Sequence, residues 1–497
     1  MASLEEIRTT RLHKLELLKK AGMDAYPSKV PRTFCLEDAR KSFEKFAKSG
    51  EVVSLTGRIM AIRGQGAILF VVLDDGKGKF QAVFKKDEIP ADLFKLFGDV
   101  ADIGDFISVT GTFFKTERGE DSILVKLWTM VSKSLLPLPE KWHGIQDQDE
   151  RFRKRYLDFI MNPELRDIFV KKAKFWDVTR DFLKSRGFLE VETPTLEVTT
   201  GGAEATPFKT HHNDFDLPVY LRISVGELWQ KRLMAAGFQK TFEIGRVYRN
   251  EGSSPEHAQE FTNMEFYWAY ADYEDGMKLI TELYRTIATE VFGTTKFTAR
   301  GFTFDLADEW TRIDYVQEIE KQTGINILTA TEKDMKKKLD ELHVKYDGDN
   351  RERLTDTLWK YCRKNIAGPA FLINHPVLVA PLAKEVKGHD GKGKANEKDA
   401  AEKVVQMFQP IIAGSEVGRG YSELNDPIDQ AARFAAQEKL LKSGDSEAMM
   451  SDHEFVEMLE HAMPPACGWG HGERLFAILA DKTLREVQLF PLMKPRE

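Results

Sequence analysis

Apolar spacing divides the 497-residue chain into three regimes. Over residues 1–48 the leucines at Leu12, Leu15 and Leu18 are interleaved with charge, which predicts a helical extension. From Val52 to Ser132 the period shortens, and the runs VVSLTGRIMAI, AILFVVLDD, FQAVF, FISVTGTFF and ILVKLWTMV predict five short strands, with the turn DDGKGK at 74–79 closing one hairpin. Five strands in so short a span predict a small barrel of the OB type over 49–136, a frequent platform for single-stranded nucleic acid. A barrel of other use reads the same way. Pro137 and Pro139 open a linker over 137–160 that carries the basic cluster Arg151, Arg153, Lys154 and Arg155.

Beyond the linker, Asn162-Pro163 predicts a helix start. Ile168, Phe169, Phe175, Trp176, Phe182 and Leu183 form its apolar face, and Gly187 ends it. Strands and helices then alternate through 161–497. A highly charged helical stretch at about 314–365 reads as an insertion, and KGHDGKGKANEKD at 387–399 reads as a mobile basic loop.

One segment breaks the pattern. Phe242 to Tyr270 reads as two buried strands joined by a long loop, yet it carries Arg249 and Glu265 among its apolar positions. Unpaired charges inside a sheet cost several kcal/mol, so each needs a partner. The partner is either the other residue, as an internal ion pair, or a charged ligand.

Composition changes this picture only by exclusion. A hydrophobic content of 42% is ordinary for a globular chain, and a net charge of -7 argues against a general nucleic-acid coat while leaving local patches open. The cations Arg8, Arg11, Lys14, Lys19 and Lys20 form one such candidate patch. Cys35, Cys362 and Cys467 lie far apart with no metal-ligand spacing, which predicts neither a disulfide framework nor structural zinc, in a reducing compartment. The charged N-terminus predicts no signal peptide or membrane span, so a cytoplasmic location is expected.

The segment FEIGRVYRNEGSSPEHAQEFTNMEFYWAY resembles motif 2 of the class II aminoacyl-tRNA synthetases. Upstream, GFLEVETPTLEV at 187–198, with Pro194, resembles their motif 1; downstream, PPACGWGHGERLFAIL at 464–479 resembles motif 3. The resemblance implies an α+β architecture, in which an N-terminal OB barrel is joined to a catalytic domain whose antiparallel sheet is flanked by helices. It also implies a homodimer built on motif 1. ATP would be held by Arg249, Glu251, His257, Phe261, Glu416 and Arg474, with Arg249 on the α-phosphate and the substrate carboxylate, Glu251 on the adenine amine, Phe261 stacked on the base and Arg474 on the γ-phosphate. Arg249 and Arg474 would be the catalytic cations. The residue types suit these roles, since a guanidinium is a planar fork for phosphate and carboxylate oxygens.

Further runs, GGAEATPFKTHH, ELWQKRL, NMEFY and GYSELNDP, resemble the class II lysine-tRNA ligases. That resemblance implies L-lysine and tRNA(Lys) as substrates, with neither DNA nor membrane as partner. The lysine site would comprise Gly202, Glu227, Arg249, Glu265, Tyr267, Arg419, Tyr421 and Glu423. Within it, Gly202 and Glu227 meet the α-amine, Glu265, Tyr267 and Glu423 meet the side-chain amine, and Tyr421 packs on the methylenes. Phe70 and Gln81 match anticodon-reading positions, and Glu416 with Gln409 matches the Mg2+ ligands. Aspartate- or asparagine-tRNA ligase shares this architecture, and a synthetase-derived nucleic-acid-binding protein without activation is the alternative of another class.

The chain departs from the usual pattern at several points. RISVGELWQKRL is one residue longer than usual and GWGHGER one shorter. Leu127 stands where a glutamate is usual in the barrel. Glu256 replaces an arginine, Gln409 a glutamate and Arg419 an asparagine, changes that cancel in formal charge.

Overall fold

The computed structural model describes residues 3–496 except 65, 140–143, 204, 253, 255–256, 347, 349, 387–403 and 443–448, so Glu256 and the basic run at 387–399 lie outside the described residues. The chain divides into two compact units, Met1–Leu165 and Arg166–Glu497.

In the first unit the helical extension is three helices, α1 (Leu4–Lys20), α2 (Leu36–Lys41) and α3 (Phe43–Ser49). Ser3 starts α1 through a reciprocal capping box with Glu6. Gly22, Pro27 and Pro31 interrupt the helical pattern after α1. The barrel follows as β1 (Val53–Arg63), β2 (Ile68–Asp74), β3 (Lys79–Lys85), α4 (Ala91–Val100), β4 (Phe106–Lys115) and β5 (Asp121–Ser132), closed in the order β1-β2-β3-β5-β4. All five expected strands form. Helix α4 was not foreseen; Phe97 holds it on the barrel, stacked 4.1 Å from the Phe84 ring and 5.3 Å from Trp128.

The expected basic patches are largely engaged within the protein. Arg11 donates to Ser134, Leu136 and Ile103, and Lys14 pairs with Asp102 at 2.7 Å. The linker ends in two short helices, α5 (Gln148–Arg153) and α6 (Arg155–Met161), where Arg151 and Arg155 converge on Asp158 and Lys154 pairs with Glu150.

Asn162 closes α6 by bonding back to Asp158, so the long helix α7 starts only at Leu165 and runs to Ser185. Next come β6 (Leu189–Glu190), β7 (Leu196–Glu197), β8 (Lys209–His212), β9 (Leu217–Leu221), α8 (Glu227–Ala235), β10 (Lys240–Tyr248), β11 (Glu260–Ala269) and α9 (Tyr273–Ile287). They are followed by β12 (Lys296–Ala299), β13 (Phe302–Asp305), β14 (Thr311–Asp314), α10 (Tyr315–Thr323), α11 (Glu332–Glu341), α12 (Arg351–Cys362) and β15 (Ala370–Pro376). The chain then continues through β16 (Val404–Ile412), β17 (Ser415–Glu416), β18 (Arg419–Ser422), α13 (Pro427–Lys442), α14 (His453–Glu460), β19 (Ala466–Gly472) and α15 (Arg474–Leu479).

The central sheet has the order β14-β15-β16-β18-β19-β11-β10-β6, with β17 paired to β16. Its pairs are antiparallel except at the two ends, where β14 joins β15 and β6 joins β10 in parallel. Alternation along β11 sends Met264 and Phe266 into one core with Phe175, Leu283, Trp469 and Phe476. Asn263, Glu265 and Tyr267 therefore face the opposite side, where the candidate site lies. The charged stretch at 314–365 is less separate than its composition suggests, because Leu354, Leu358, Trp359 and Cys362 share a core with Leu372 of β15 and Ile411 of β16.

Replacing Phe97 with alanine should cost the barrel about 3–5 kcal/mol, because a fully buried ring leaves a cavity. Gly98→Ala, whose added methyl meets open space, should change stability by less than about 1 kcal/mol. Urea unfolding followed by tryptophan fluorescence separates the two outcomes.

Candidate active site

A cavity of about 280 Å³ opens on the polar side of the sheet. It gathers Gly202, Glu227, Arg249, Glu251, His257, Phe261, Glu265, Tyr267, Gln409, Glu416, Arg419, Tyr421, Glu423 and Arg474, all of the residues expected in the second unit. They come from the turn before β8, from α8, from the loop between β10 and β11, from β11, from β16 to β18 and the residue after it, and from the start of α15. Residues more than two hundred positions apart in sequence thus line one space.

One end is acidic. Glu265 is buried in β11, where its Oε1 accepts the Val225 amide at 2.7 Å and Asn263 Nδ2 at 3.0 Å and its Oε2 accepts the Tyr267 hydroxyl at 3.1 Å. The internal Arg249–Glu265 ion pair, one of the two alternatives, is not formed. Burial, reinforced by Glu227, pushes Glu265 up to about 7, against the opposing Val225 amide. Glu423 is 1% exposed, and burial pushes it up to about 8, against the pull of Lys231 and with the push of Glu227 and Glu265. Tyr267 and Tyr421 are held well above the ordinary phenol range by burial and then by the neighbouring Glu227.

The other end is basic. Arg249 stands just after β10, with its guanidinium 5.3 Å from the Phe261 ring centroid and only long contacts, at 3.4 Å, to the Ile223 carbonyl. Among the described residues it makes no ion pair. Burial lowers its pKa, and Glu251 opposes that shift. Arg474 donates to the Glu416 carbonyl at 3.2 Å, and Arg419 lies exposed on β18. The half-buried Arg249 guanidinium, with only long contacts to the Ile223 carbonyl among the described residues, calls for an anion.

Both departures in length are absorbed. In the segment before α8 that is one residue longer than usual, Gly226 has φ +67° and leaves no room for a side chain against Thr193. In the shortened motif 3 only Glu473 separates β19 from α15. Its buried carboxylate accepts the Thr262 amide and pairs with Lys172, which keeps Arg474 at the cavity.

Gln409, expected as a metal ligand, is otherwise engaged. Its Oε1 is 2.7 Å from His375 Nε2 and its Nε2 donates to Glu416 Oε2 at 3.3 Å, so the amide orients Glu416. Burial holds His375 down at about 4 and thus neutral, which lets one ring nitrogen donate to the amide oxygen. Burial opposes ionisation at Glu416, but Arg363 and Arg419, with the Trp359 indole 2.5 Å from its Oε1, hold the carboxyl below its ordinary range. Trp359 comes from the stretch that reads as an insertion, which therefore contributes to the site. Among the described residues no group of three or more metal-ligating side chains occurs.

In the first unit, Phe70 is half-buried and lies outside the barrel core, since alternation on β2 sends Val71 and Leu73 inward instead. Register places Arg63, Phe70, Val83 and Leu124 in one row across four strands. Gln81 lies one register step away and donates to Ser122 Oγ at 2.9 Å.

Sequence reasoning missed Lys231, Asn263, Trp359, His375 and the Val225 amide. Of these, Lys231 carried a signal in its position four residues after Glu227, the spacing that brings two side chains together on a helix. Its ammonium lies 2.7 Å from Glu227 Oε1 and 2.5 Å from Glu423 Oε2.

Residues 147–494 match the family of class II tRNA synthetases (D, K and N), and residues 53–131 match the OB-fold nucleic acid binding domain. The chain is 42% identical over 500 residues to the lysine-tRNA ligase of Roseiflexus sp. (strain RS-1), covering 99% of this chain and all of that protein. It is 40% identical over 501 residues to the lysine-tRNA ligase of Thermotoga maritima, covering 99% and 97% of the two chains. The lysine-tRNA ligase of Moorella thermoacetica is likewise 40% identical over 497 residues, at 99% and 98% coverage.

Gly468 has no room for a side chain, because a Cβ there would stand 2.0 Å from Glu423 Oε1 and 2.6 Å from the Tyr267 ring. Gly468→Ala should therefore destabilise the second unit by about 1–3 kcal/mol. Thermal unfolding checks this; an unchanged midpoint would mean that Glu423 has another rotamer free to it.

Proposed function

The chain belongs to the class II tRNA synthetases of the D, K and N group, and from that membership we propose that it activates L-lysine with ATP and transfers the lysyl group to tRNA(Lys). The polarity of this cavity carries the reading: carboxylates and phenols crowd one end, guanidinium groups the other. A substrate with ammonium groups at one end and a carboxylate meeting a polyphosphate at the other fits that polarity. An aspartate or asparagine side chain would meet Glu265 and Glu423 with no cation to spare, which disfavours those relatives of the same group. Loss of activation is disfavoured by the retention of Arg249 and Arg474 at the cavity despite the shortened motif 3.

The lysine carboxylate attacks the α-phosphorus of ATP, forming the mixed anhydride as the bond to the pyrophosphate leaving group breaks. The acyl carbon then passes to a ribose hydroxyl of the tRNA, releasing AMP. No side chain becomes covalently attached. Arg249 holds the substrate carboxylate beside the α-phosphate, Arg474 offsets charge on the outer phosphates, and Phe261 and Glu251 fix the adenine, so catalysis comes from positioning and electrostatic stabilisation. Arg419, on the strand between the two ends, adds a cation for the substrate carboxylate or a phosphate. Gly202 and Glu227 take the α-amine, Tyr421 packs on the methylenes, and His257 contributes at the ATP end. Mg2+ binds through one or two carboxylates together with phosphate oxygens; Glu416, held ionised and oriented by Gln409, fits that mode, and the ion would supply charge neutralisation for the phosphates.

Motif 1 presents Leu189, Leu196 and Val198 exposed, together with Val170 of α7. We read this as the face of a homodimer. No helix among the described residues is long and apolar enough to cross a membrane, and we place the enzyme in the cytoplasm. Phe70, Gln81 and the row beside them would bind the anticodon of the tRNA.

ATP-pyrophosphate exchange with lysine, aspartate and asparagine tests the assignment, and exchange with lysine alone is expected. Glu423→Gln should raise the lysine KM by about 10-fold to 10²-fold with the ATP KM unchanged, since a charge-assisted contact of roughly 1.5–3 kcal/mol becomes neutral. An unchanged lysine KM would remove Glu423 from the pocket. Phe70→Ala should weaken tRNA aminoacylation by about 1–3 kcal/mol without affecting exchange; equal loss in both reactions would make Phe70 a structural residue.

A further inference from the structure

Lys231 is a fully buried cation inside the acidic end of the cavity, at 1% exposure. Beyond Glu227 on its own helix and Glu423 after β18, its ammonium is ringed by aromatic side chains. The Tyr267 centroid on β11 lies at 5.8 Å, that of Tyr421 on β18 at 5.4 Å and that of Phe455 on α14 at 5.8 Å. Glu265 on β11 also faces this cluster, and it is already occupied by the Val225 amide, Asn263 and Tyr267.

What each paired carboxylate keeps back points beyond a structural ion pair. Glu227 gives Oε1 to Lys231 and to the Tyr421 hydroxyl, and holds Oε2 beside Gly202. Glu423 gives Oε2 to Lys231, and its buried Oε1, against Gly468, has no hydrogen-bond partner among the described residues. A pair present only to hold the fold together would satisfy its remaining buried oxygens within the protein. Here two acceptor oxygens stay open, one on each side of a fixed cation.

We propose that Lys231 is a positioning residue for the amino-acid substrate. It takes one oxygen from each of Glu227 and Glu423 and so sets the separation and net charge of the oxygens that receive the substrate's two ammonium groups. When all three carboxylates are ionised, they and the one ammonium leave two net negative charges, which match the two ammonium groups of lysine. Without Lys231, Glu227 and Glu423 would face each other with no cation between them, which makes ionising both of them harder still. The inference rests on the lysine assignment above and deepens it.

The test compares Lys231→Met with the parent enzyme in ATP-pyrophosphate exchange from pH 6 to pH 9. At pH 7 the lysine KM should rise about 10²-fold with the ATP KM unchanged. The sign of the pH dependence follows from Glu423, raised to about 8 by burial. Only the ionised carboxylate accepts an ammonium, so lysine affinity is full above that pKa and is lost as pH falls through it. Removing Lys231 raises the pKa further, and the deficit of the variant should shrink as pH approaches 9. A KM equal to the parent's, or a rise of constant size at every pH, would overturn the proposal, since a purely structural defect has no reason to heal with pH.

Should the variant fail to fold by circular dichroism, Lys231→Gln takes its place. The parent's own lysine Kd provides a further reading that needs no variant. Calorimetry should show binding weaken as pH drops below about 8, whereas a flat profile from 6 to 9 would sink the idea. If the parent exchanges no lysine at all, the assignment of function fails instead, so the two failures are distinguishable.

Discussion

Burying like charges next to one another is the constraint on which the second unit depends. Glu227, Glu265 and Glu423 are all nearly inaccessible to water, and Glu227 lies close enough to raise the pKa of both Glu265 and Glu423. Such a cluster is tolerable only if the surroundings supply donors in fixed positions. The sheet does this by register: pairing β11 with β19 sets Glu265 opposite Gly470 and Tyr267 opposite Gly468. The glycines of β19 are therefore spaces kept free for carboxylates and rings on neighbouring strands. This is a more specific role than that of turn residues.

The same constraint explains why the elements around the cavity are so heavily cross-tied. Asn263, the Val225 amide and Tyr267 all serve one carboxylate, and a left-handed glycine at Gly226 lets the chain before α8 bring that amide into place. At the basic end, Trp359, Gln409 and His375 hold Glu416 in the same manner. Preorganised donors of this kind need not rearrange when charge develops, which is where most of the catalytic advantage of such sites arises. The two ends differ in sign, and their separation within one cavity gives a zwitterionic amino acid a single sensible orientation.

Charge conservation across the departures has a structural counterpart at two of its three positions. Gln409 has lost the negative charge of a glutamate but gained a hydrogen-bonding role between His375 and Glu416. Arg419 has entered the same neighbourhood and helps keep Glu416 ionised. A site that gives up one anion while adding a cation keeps its remaining carboxylate in the charged form that a divalent ion requires.

Much of this was legible in the order of residues. The five barrel strands and the two strands framing the motif 2 loop follow from period and turn residues, which are local along the chain, while the list of cavity residues follows from the resemblance of short motifs to those of the class II synthetases. The helix α4 escaped because DLFKLFGDV is short and its helicity depends on Phe97 finding Phe84 and Trp128, contacts that exist only once the barrel has closed. The stretch at 314–365 looked separate because its charge is high, whereas the buried stripe through Leu354, Leu358 and Trp359 shows its purpose only against β15 and β16. Which carboxylate pairs with which cation was not legible either. Arg249 and Glu265 are neighbours in sequence pattern but not ion-pair partners in space, and Gln409 proved to serve Glu416 through its amide. Hydrogen-bond partners in a buried site are chosen by three-dimensional distance and by the absence of competing water. The sequence alone determined the kinds of groups that reach the cavity, and the tertiary structure alone decided that Lys231 stands between Glu227 and Glu423.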